Sequence, residues 1–226
     1  CSIIFVLGVL DDRFGLPPLP RLLVQILATV PLLLSGTVLK LFLPPIISFP
    51  VTIFWLVLLT NSFNFLDNMN GLTSGVAGMI CVVMAVLSAL SGELYMLLLF
   101  VLLSGAILAF WMFNFPRADI FLGDSGSTHL GFLLGSLAIL STYSDAGVPT
   151  KLPILIPLIV LGVPLFDTLS VLWIRKRAGR PLMEGDTNHI SHRLVALGMT
   201  RTEAVLFIYA AVLVLGLAAI PLRLLD

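Results

Sequence analysis

The chain has 226 residues, of which 59% are hydrophobic and 11% charged, and its 12 Lys+Arg balance its 12 Asp+Glu. A typical soluble domain carries about 25% charged residues, so the composition excludes both a disordered chain and a soluble globular domain. The zero net charge excludes a nucleic-acid binder driven by charge, and a mean hydropathy of +1.13 leaves an integral membrane protein.

Apolar runs follow in chain order at 1–10, 21–43, 46–65, 72–90, 94–113, 126–142, 152–174 and 204–222, separated by short polar loops. The first, Ser2 to Leu10, is about half of the roughly 20 residues a helix needs to cross the hydrocarbon core. It lacks the basic region and cleavage site of a signal peptide, and the first residue is Cys1 rather than Met. Residues 1–226 therefore read as a single integral membrane domain that is N-terminally incomplete. The runs are continuous and rich in Leu, Val and Ile, not alternating, which predicts helices over barrel strands. The expected fold is all-α: a polytopic transmembrane helical bundle of about eight segments, the first partial. Cys1 and Cys81 make no disulfide framework, and Cys81 reads as a small buried hydrophobe.

Loops that alternate between the two faces put Arg13, Arg21, Arg117, Arg175, Lys176, Arg177, Arg180, Arg193 and Arg201 on one side, and Lys40, Lys151 and Arg223 on the other. Nine against three assigns the first side to the cytoplasm. That side also receives Asp11-Asp12, the Asn61–Asn70 stretch, Asp124 and the His189/His192 pair, whereas the far loops hold only Pro44-Pro45, Ser91-Gly92-Glu93 and Ser144-Asp145-Ala146-Gly147. A purely structural bundle has no reason to gather carboxylates and histidines on one face. The asymmetry predicts an active site at the cytoplasmic face.

Asp11 and Asp12 end the first run. Adjacent carboxylates repel, so they suit a cation, a diphosphate partner or proton abstraction; a solvated helix end is the plain alternative. Asn61, Asn64 and Asp67 recur at i, i+3 and i+6, one polar stripe on a helix, and their hard oxygens suit magnesium. Interhelical hydrogen bonding is the alternative there. Asn68 to Gly71 then reads as a turn. In Gly123-Asp124-Ser125-Gly126 the glycines permit close approach of a phosphate, and the helix that follows starts with free N–H groups; an N-cap is the competing reading. Asn188-His189-Ile190-Ser191-His192-Arg193 offers His and Arg to clamp a diphosphate. Asp167, inside the run 152–174 and about 12 Å from its Arg175 end, reads as a structural anchor. Gly131 and Gly135 form a small-residue packing face, with His129 making a local hydrogen bond near the start of that helix.

Together, Gly8-Val9-Leu10-Asp11-Asp12, the Asn61–Leu72 stretch, Ile120 to Ser127 and Asn188 to Leu194 resemble the polyprenyl-phosphate N-acetylhexosamine-1-phosphate transferase superfamily (glycosyltransferase family 4), on its WecA/TagO-like side. The resemblance covers nearly the whole chain, with the four motifs in order. It implies transfer of a sugar 1-phosphate, N-acetylglucosamine 1-phosphate favoured, from a UDP-sugar to a polyprenyl phosphate such as undecaprenyl phosphate. UMP is released, in the first membrane step of cell-envelope polysaccharide synthesis. It implies Mg²⁺, with Mn²⁺ as an alternative ion, held by Asn64 and Asp124. It further implies catalytic roles for Asp11, Asp12, Asp67 and Asp124, and substrate contacts from Asn61, Asn70 (at the nucleotide), His189, His192 and Arg193. The partners implied are the two substrates and membrane lipid, with a homodimer left open and no nucleic acid, and the location is the cell (inner or plasma) membrane. Two positions depart from common bacterial members: Asn70 stands where they carry Asp, and Ser191 where WecA-like members carry His. The alternatives are a phospho-N-acetylmuramoyl-pentapeptide transferase of the MraY type, a transporter suggested by Asp167, and a catalytically silent fragment.

Overall fold

The computed structural model describes residues 1–39, 44–143, 155–181 and 188–224. Lys40, Lys151, the loop Ser144–Gly147 and the predicted helical residues 41–43 and 152–154 lie outside the described residues. The described residues form helices joined by turns and irregular loops, with no strand among them: α1 (Ser2–Phe14), α2 (Pro18–Leu34), α3 (Pro45–Leu66), α4 (Leu72–Leu90), α5 (Leu94–Asn114), α6 (Gly123–Tyr143), α7 (Leu155–Val160), α8 (Gly162–Arg177), α9 (Ile190–Ala196) and α10 (Arg201–Leu224). Four helices, spanning Ile46–Leu66, Leu72–Leu90, Leu94–Asn114 and Arg201–Leu224, are long and apolar enough to cross a membrane. Their outward faces carry large apolar side chains, such as Leu98, Leu102, Met112, Phe207 and Leu217. In water such a surface would drive association; in lipid it is the ordinary outer face of a multi-pass membrane protein.

Two predicted runs end or break differently. Among the described residues of the 21–43 run the helix ends at Leu34, because Ser35-Gly36 closes it: the Gly36 N–H donates to the Leu33 carbonyl and the Thr37 N–H to the Leu32 carbonyl, with Gly36 at φ +80°. Such a left-handed glycine stop satisfies the last carbonyls. The described part of the 152–174 run is two helices, α7 and α8, parted at Leu161. Pro164 has no N–H for the carbonyl four residues earlier, which breaks helical continuity there.

The bundle is built around α3, α4 and α6. Leu56, Leu59 and Phe63 of α3, Val76 and Ile80 of α4 and Phe132 and Leu134 of α6 are essentially fully buried. The predicted small-residue face closes α3 against α6. A Cβ on Gly131 would lie 2.5 Å from the Leu59 carbonyl oxygen, and one on Gly135 would lie 3.0 Å from the Leu59 side chain. Trp55 Nε1 adds a bond to the Gly135 carbonyl at 3.2 Å. His129 is not hydrogen-bonded as expected: Nδ1 has no partner among the described residues, and the ring sits edge-on to Phe5 at 6.0 Å. Packing, rather than a polar contact, fixes it. The end of α1, the start of α2, the end of α3 and the starts of α4 and α6 meet at one pole of the bundle.

Candidate active site

The pole is organised by the approach of α1 to α6. Gly8 lets the helices touch, since a Cβ there would overlap the Ser125 backbone. Two turns later α1 stops at Gly15, which is left-handed at φ +61°. This leaves Asp11 and Asp12 in the last turn, facing the start of α6. Asp12 Oδ1 accepts the Asp124 N–H at 2.7 Å and Oδ2 accepts the Ser125 N–H at 3.0 Å. Asp12 is thus an N-cap supplied from another helix. Gly123 at φ +65° makes the approach feasible, because a Cβ would sit 2.9 Å from both Asp12 carboxylate oxygens. The two N–H groups expected to receive a phosphate are therefore already engaged by the chain itself.

Asp11 is buried and faces Arg21 from the first turn of α2, with Nη1 to Oδ2 at 2.5 Å. The Leu16 N–H donates to its other oxygen at 2.8 Å. Arg21 Nη1 also lies 3.5 Å from Asp124 Oδ2, so one guanidinium stands between two acids. Asn64 Nδ2 donates to Asp124 Oδ1 at 2.7 Å and to Ser127 Oγ at 3.2 Å. Burial, with the charges of Asp11 and Asp12 adding, pushes the Asp124 carboxyl up to about 6. Burial opposes ionisation of Asp11 too, but hydrogen bonds from Asp124, Arg21 and the Leu16 backbone outweigh it and hold that carboxyl below its ordinary value. Asp67, just past the end of α3, is pushed up to about 6 by burial and by the charges of Asp124 and Asp12. The pole is short of positive charge around Asp124.

Asp11, Asp12, Asn64, Asp67 and Asp124 come together electrostatically or by direct bonds. Asn61 does not join them by a bond. Its Nδ2 donates to Gln25 Oε1 at 2.7 Å and to the Val57 carbonyl at 2.8 Å, which ties α2 to α3. Its neighbour one turn on, Asn64, is the member of the stripe that reaches Asp124. Asn70 is exposed, on a cleft of about 100 Å³ lined by Asn68, Met69, Phe115, Pro116 and Arg201.

The histidine segment is anchored from below by Asp167, which is fully buried in α8. Asp167 Oδ2 pairs with His189 Nδ1 at 2.7 Å, and Oδ1 accepts the Ile190 N–H at 2.7 Å. The anchoring role read from the sequence is what the geometry displays. Ser191 Oγ donates to Asn68 Oδ1 at 2.6 Å, so the serine docks α9 onto the turn after α3. Buried Arg175 lies over the Phe65 ring at 5.7 Å, and the His189 ring is 6.0 Å from it. His192 is half-buried, and burial followed by the charges of His189 and Arg201 lowers it from its ordinary 6.5. Arg193 is exposed.

The sequence placed Arg21 only among the basic residues of one side and gave Gln25 no role. Arg21 lies ten residues after Asp11, which places it across a helix–turn–helix; a second cation after the acidic pair, beyond Arg13, was the available signal. Asn64 and Asp124 offer one amide and one carboxylate oxygen donor. No group of three or more His, Cys, Asp or Glu able to hold a metal occurs among the described residues. A two-donor set at an acidic pole suits Mg²⁺, which keeps waters and takes further oxygens from substrate phosphates, and does not suit zinc, which wants four protein ligands.

The glycosyl transferase family 4 model matches residues 1–142. A relative in Bacillus subtilis (strain 168), named as a probable undecaprenyl-phosphate N-acetylglucosaminyl 1-phosphate transferase, is 33% identical over 98% of this chain and 63% of its own length. A decaprenyl-phosphate N-acetylglucosaminephosphotransferase of Mycolicibacterium smegmatis is 33% identical over 96% of this chain and 60% of its own length. A phospho-N-acetylmuramoyl-pentapeptide-transferase of Moorella thermoacetica is 29% identical over 74% of this chain and half of its own length. The chain thus spans about 60% of the first two relatives. The acids that converge on Asp124 lie inside the matched residues, in the order the first three motifs set out, and this chain belongs to glycosyl transferase family 4.

Proposed function

We propose that this chain carries the catalytic pole of a polyprenyl-phosphate N-acetylglucosamine-1-phosphate transferase. A phosphate oxygen of the lipid attacks the sugar-bearing phosphorus of UDP-N-acetylglucosamine. A new P–O–P bond forms, the bond to the bridging oxygen breaks, and UMP leaves with that oxygen. The observation that carries the reading is the meeting of Asp11, Asp12, Arg21, Asn64 and Asp124, from four helices, at one pole of an otherwise apolar bundle.

Phosphoryl transfer asks for positioning and for charge stabilisation rather than covalent help. A phosphate monoester is largely ionised near neutral pH, its second pKa being about 6, so the lipid needs no strong base. This fits Asp11 and Asp12, whose oxygens are held by Arg21, Leu16 and the α6 backbone. Their role is to place Asp124 and Arg21. Mg²⁺ held by Asn64 and Asp124 would offset the charge of two phosphates brought together. Arg21, already between two acids, is the chain's own cation for the same purpose, and Arg193 is exposed for a diphosphate. The cleft beside Asn70 suits the nucleoside end of the donor.

Nine of the 12 basic residues fall at the site's pole by chain order, which supports a cytoplasmic site in a bundle of about eight segments in the cell membrane. A transporter would need polar groups along a path through the bundle, and among the described residues the histidines and all carboxylates but Glu93 lie toward one end.

The test is UMP release by the purified chain with UDP-N-acetylglucosamine, polyprenyl phosphate and Mg²⁺. UMP should appear only when all three are present, and Asp124→Ala should abolish it. Full turnover by Asp124→Ala, or turnover unchanged by a chelator, would overturn the reading.

A further inference from the structure

Asn114 ends α5, is 5% exposed, and belongs to none of the four motifs. Its side-chain oxygen accepts the Gly71 N–H at 2.9 Å and the Ser74 hydroxyl at 3.0 Å. Its amide nitrogen donates to the Ile120 carbonyl at 2.9 Å. Gly71 closes the turn that carries Asp67 and Asn70, and Ile120 lies four residues before Asp124. One buried amide therefore bridges the two loops on which the site is mounted.

The bridge needs an acceptor and a donor on one short planar group, which an asparagine side chain provides. The Gly71 N–H is an unpaired donor at a helix start without it, since Gly71 caps α4 in the left-handed region at φ +75°. A Cβ at Gly71 would lie 2.6 Å from the Phe115 ring, so the two loops are in contact at this point. The Gly71 carbonyl is held from the other side: it accepts the Tyr209 hydroxyl at 2.5 Å, which in turn accepts Trp111 Nε1 at 2.9 Å. The other polar link between the loops, Asn70 Nδ2 to the Pro116 carbonyl, is exposed and long at 3.5 Å.

We propose that Asn114 is a positioning residue of the transferase site, setting the Asp67–Asn70 turn in register with the Gly123-Asp124 turn. Only the kinetic part of this rests on the transferase reading. Asn114→Asp is isosteric and keeps the acceptor for Gly71 and Ser74, but it puts a carboxylate oxygen against the Ile120 carbonyl. It should release one loop and leave the other held.

The experiment is hydrogen–deuterium exchange on the full chain in lipid nanodiscs, alongside UMP release. In Asn114→Asp, amides 115–123 should exchange about tenfold faster while 68–74 keep their rate, because only one side of the bridge is cut. The turnover number kcat should fall by about tenfold or more with KM for polyprenyl phosphate nearly unchanged, as expected when reacting groups are displaced by less than an ångström. Ser74→Ala removes one of the two bonds on the Gly71 side and leaves the Asn114–Ile120 bond intact, so it should leave 115–123 at the native rate. If Asn114→Asp does not fold, Asn114→Ser serves: a shorter hydroxyl cannot reach both loops, so at least one must loosen. Native exchange in both loops of a folded variant, or native kcat in Asn114→Asp, would overturn the proposal. Faster exchange in 115–123 with no UMP release even by the wild-type chain would support the bridge and sink the transferase reading instead.

Discussion

Asp12 and Arg21 act on Asp124 in different ways. Asp12 binds the backbone under it, through the two N–H groups that open α6. Asp12→Ala should cost about 1 kcal/mol, the usual loss of an N-cap. It should also reduce UMP release by roughly 100-fold, because a carboxylate displaced by about an ångström loses its alignment. Asp12→Asn keeps one acceptor and should fall between. A thermal melt and a Mg²⁺ titration of turnover check both, and wild-type turnover in folded Asp12→Ala would refute the placement role. Arg21 instead lies against the side chains, 2.5 Å from Asp11 and 3.5 Å from Asp124. Arg21→Ala leaves buried Asp11 without its cation, so both melting temperature and turnover should drop. Arg21→Lys restores charge but not the planar fork and should recover turnover only in part, as measured by UMP release at saturating Mg²⁺.

At the scale of elements, two helix contacts set the geometry. Gly8 brings α1 onto α6, and Gly131 brings α3 onto α6. Gly131→Ala meets the α3 backbone, which cannot yield as a flexible side chain would. Overpacking of this kind costs about 1–3 kcal/mol, so the thermal midpoint should fall measurably in a variant that still binds detergent normally. The start of α10 is a capping box. The Thr200 N–H donates to Glu203 Oε2 at 2.7 Å, the Thr200 hydroxyl donates to the same oxygen at 2.8 Å, and the Glu203 N–H donates to Thr200 Oγ1 at 3.2 Å.

At the scale of the whole molecule, the bundle has two unlike poles. The far pole is closed by Arg223 of α10, which binds Ser91 Oγ and lies 3.9 Å from Glu93. Both charged side chains are only 10% exposed. That clamp joins α10 to the α4–α5 turn and stands at the opposite ends of the helices from Asp124. Arg223→Ala should lower the melting temperature and leave the turnover of the folded fraction within about twofold, as for sites too distant to couple. A large loss of kcat at temperatures where the variant is folded would show that the poles communicate. Sidedness is checked separately. Phe14→Cys at the acidic pole should label from the cytoplasmic face in oriented vesicles and Thr37→Cys from the other, and the reverse pattern would invert the topology.

The membrane class, the all-α fold and most helix positions were legible in the sequence because lipid imposes a simple rule: an apolar run long enough to cross must satisfy its own backbone. Asp11, Asp12, Asn64 and Asp124 were legible because carboxylates and amides are rare in such runs and stand out at their ends. The stop at Ser35-Gly36 and the break at Leu161 were harder, since both lie inside continuous apolar text. The roles within the site were harder still. A stripe at i, i+3, i+6 does not say which of its members faces another helix: Asn61 turns to Gln25 and Asn64 to Asp124. An acidic pair does not say that one carboxylate caps a helix more than a hundred residues away. Nor does a lone asparagine at the end of an apolar run announce that it ties two loops together. Hydropathy and spacing are properties of one segment at a time, and they settled what each segment is. Partners of buried polar groups are set by which helices touch, so only the tertiary structure decided what each polar residue does.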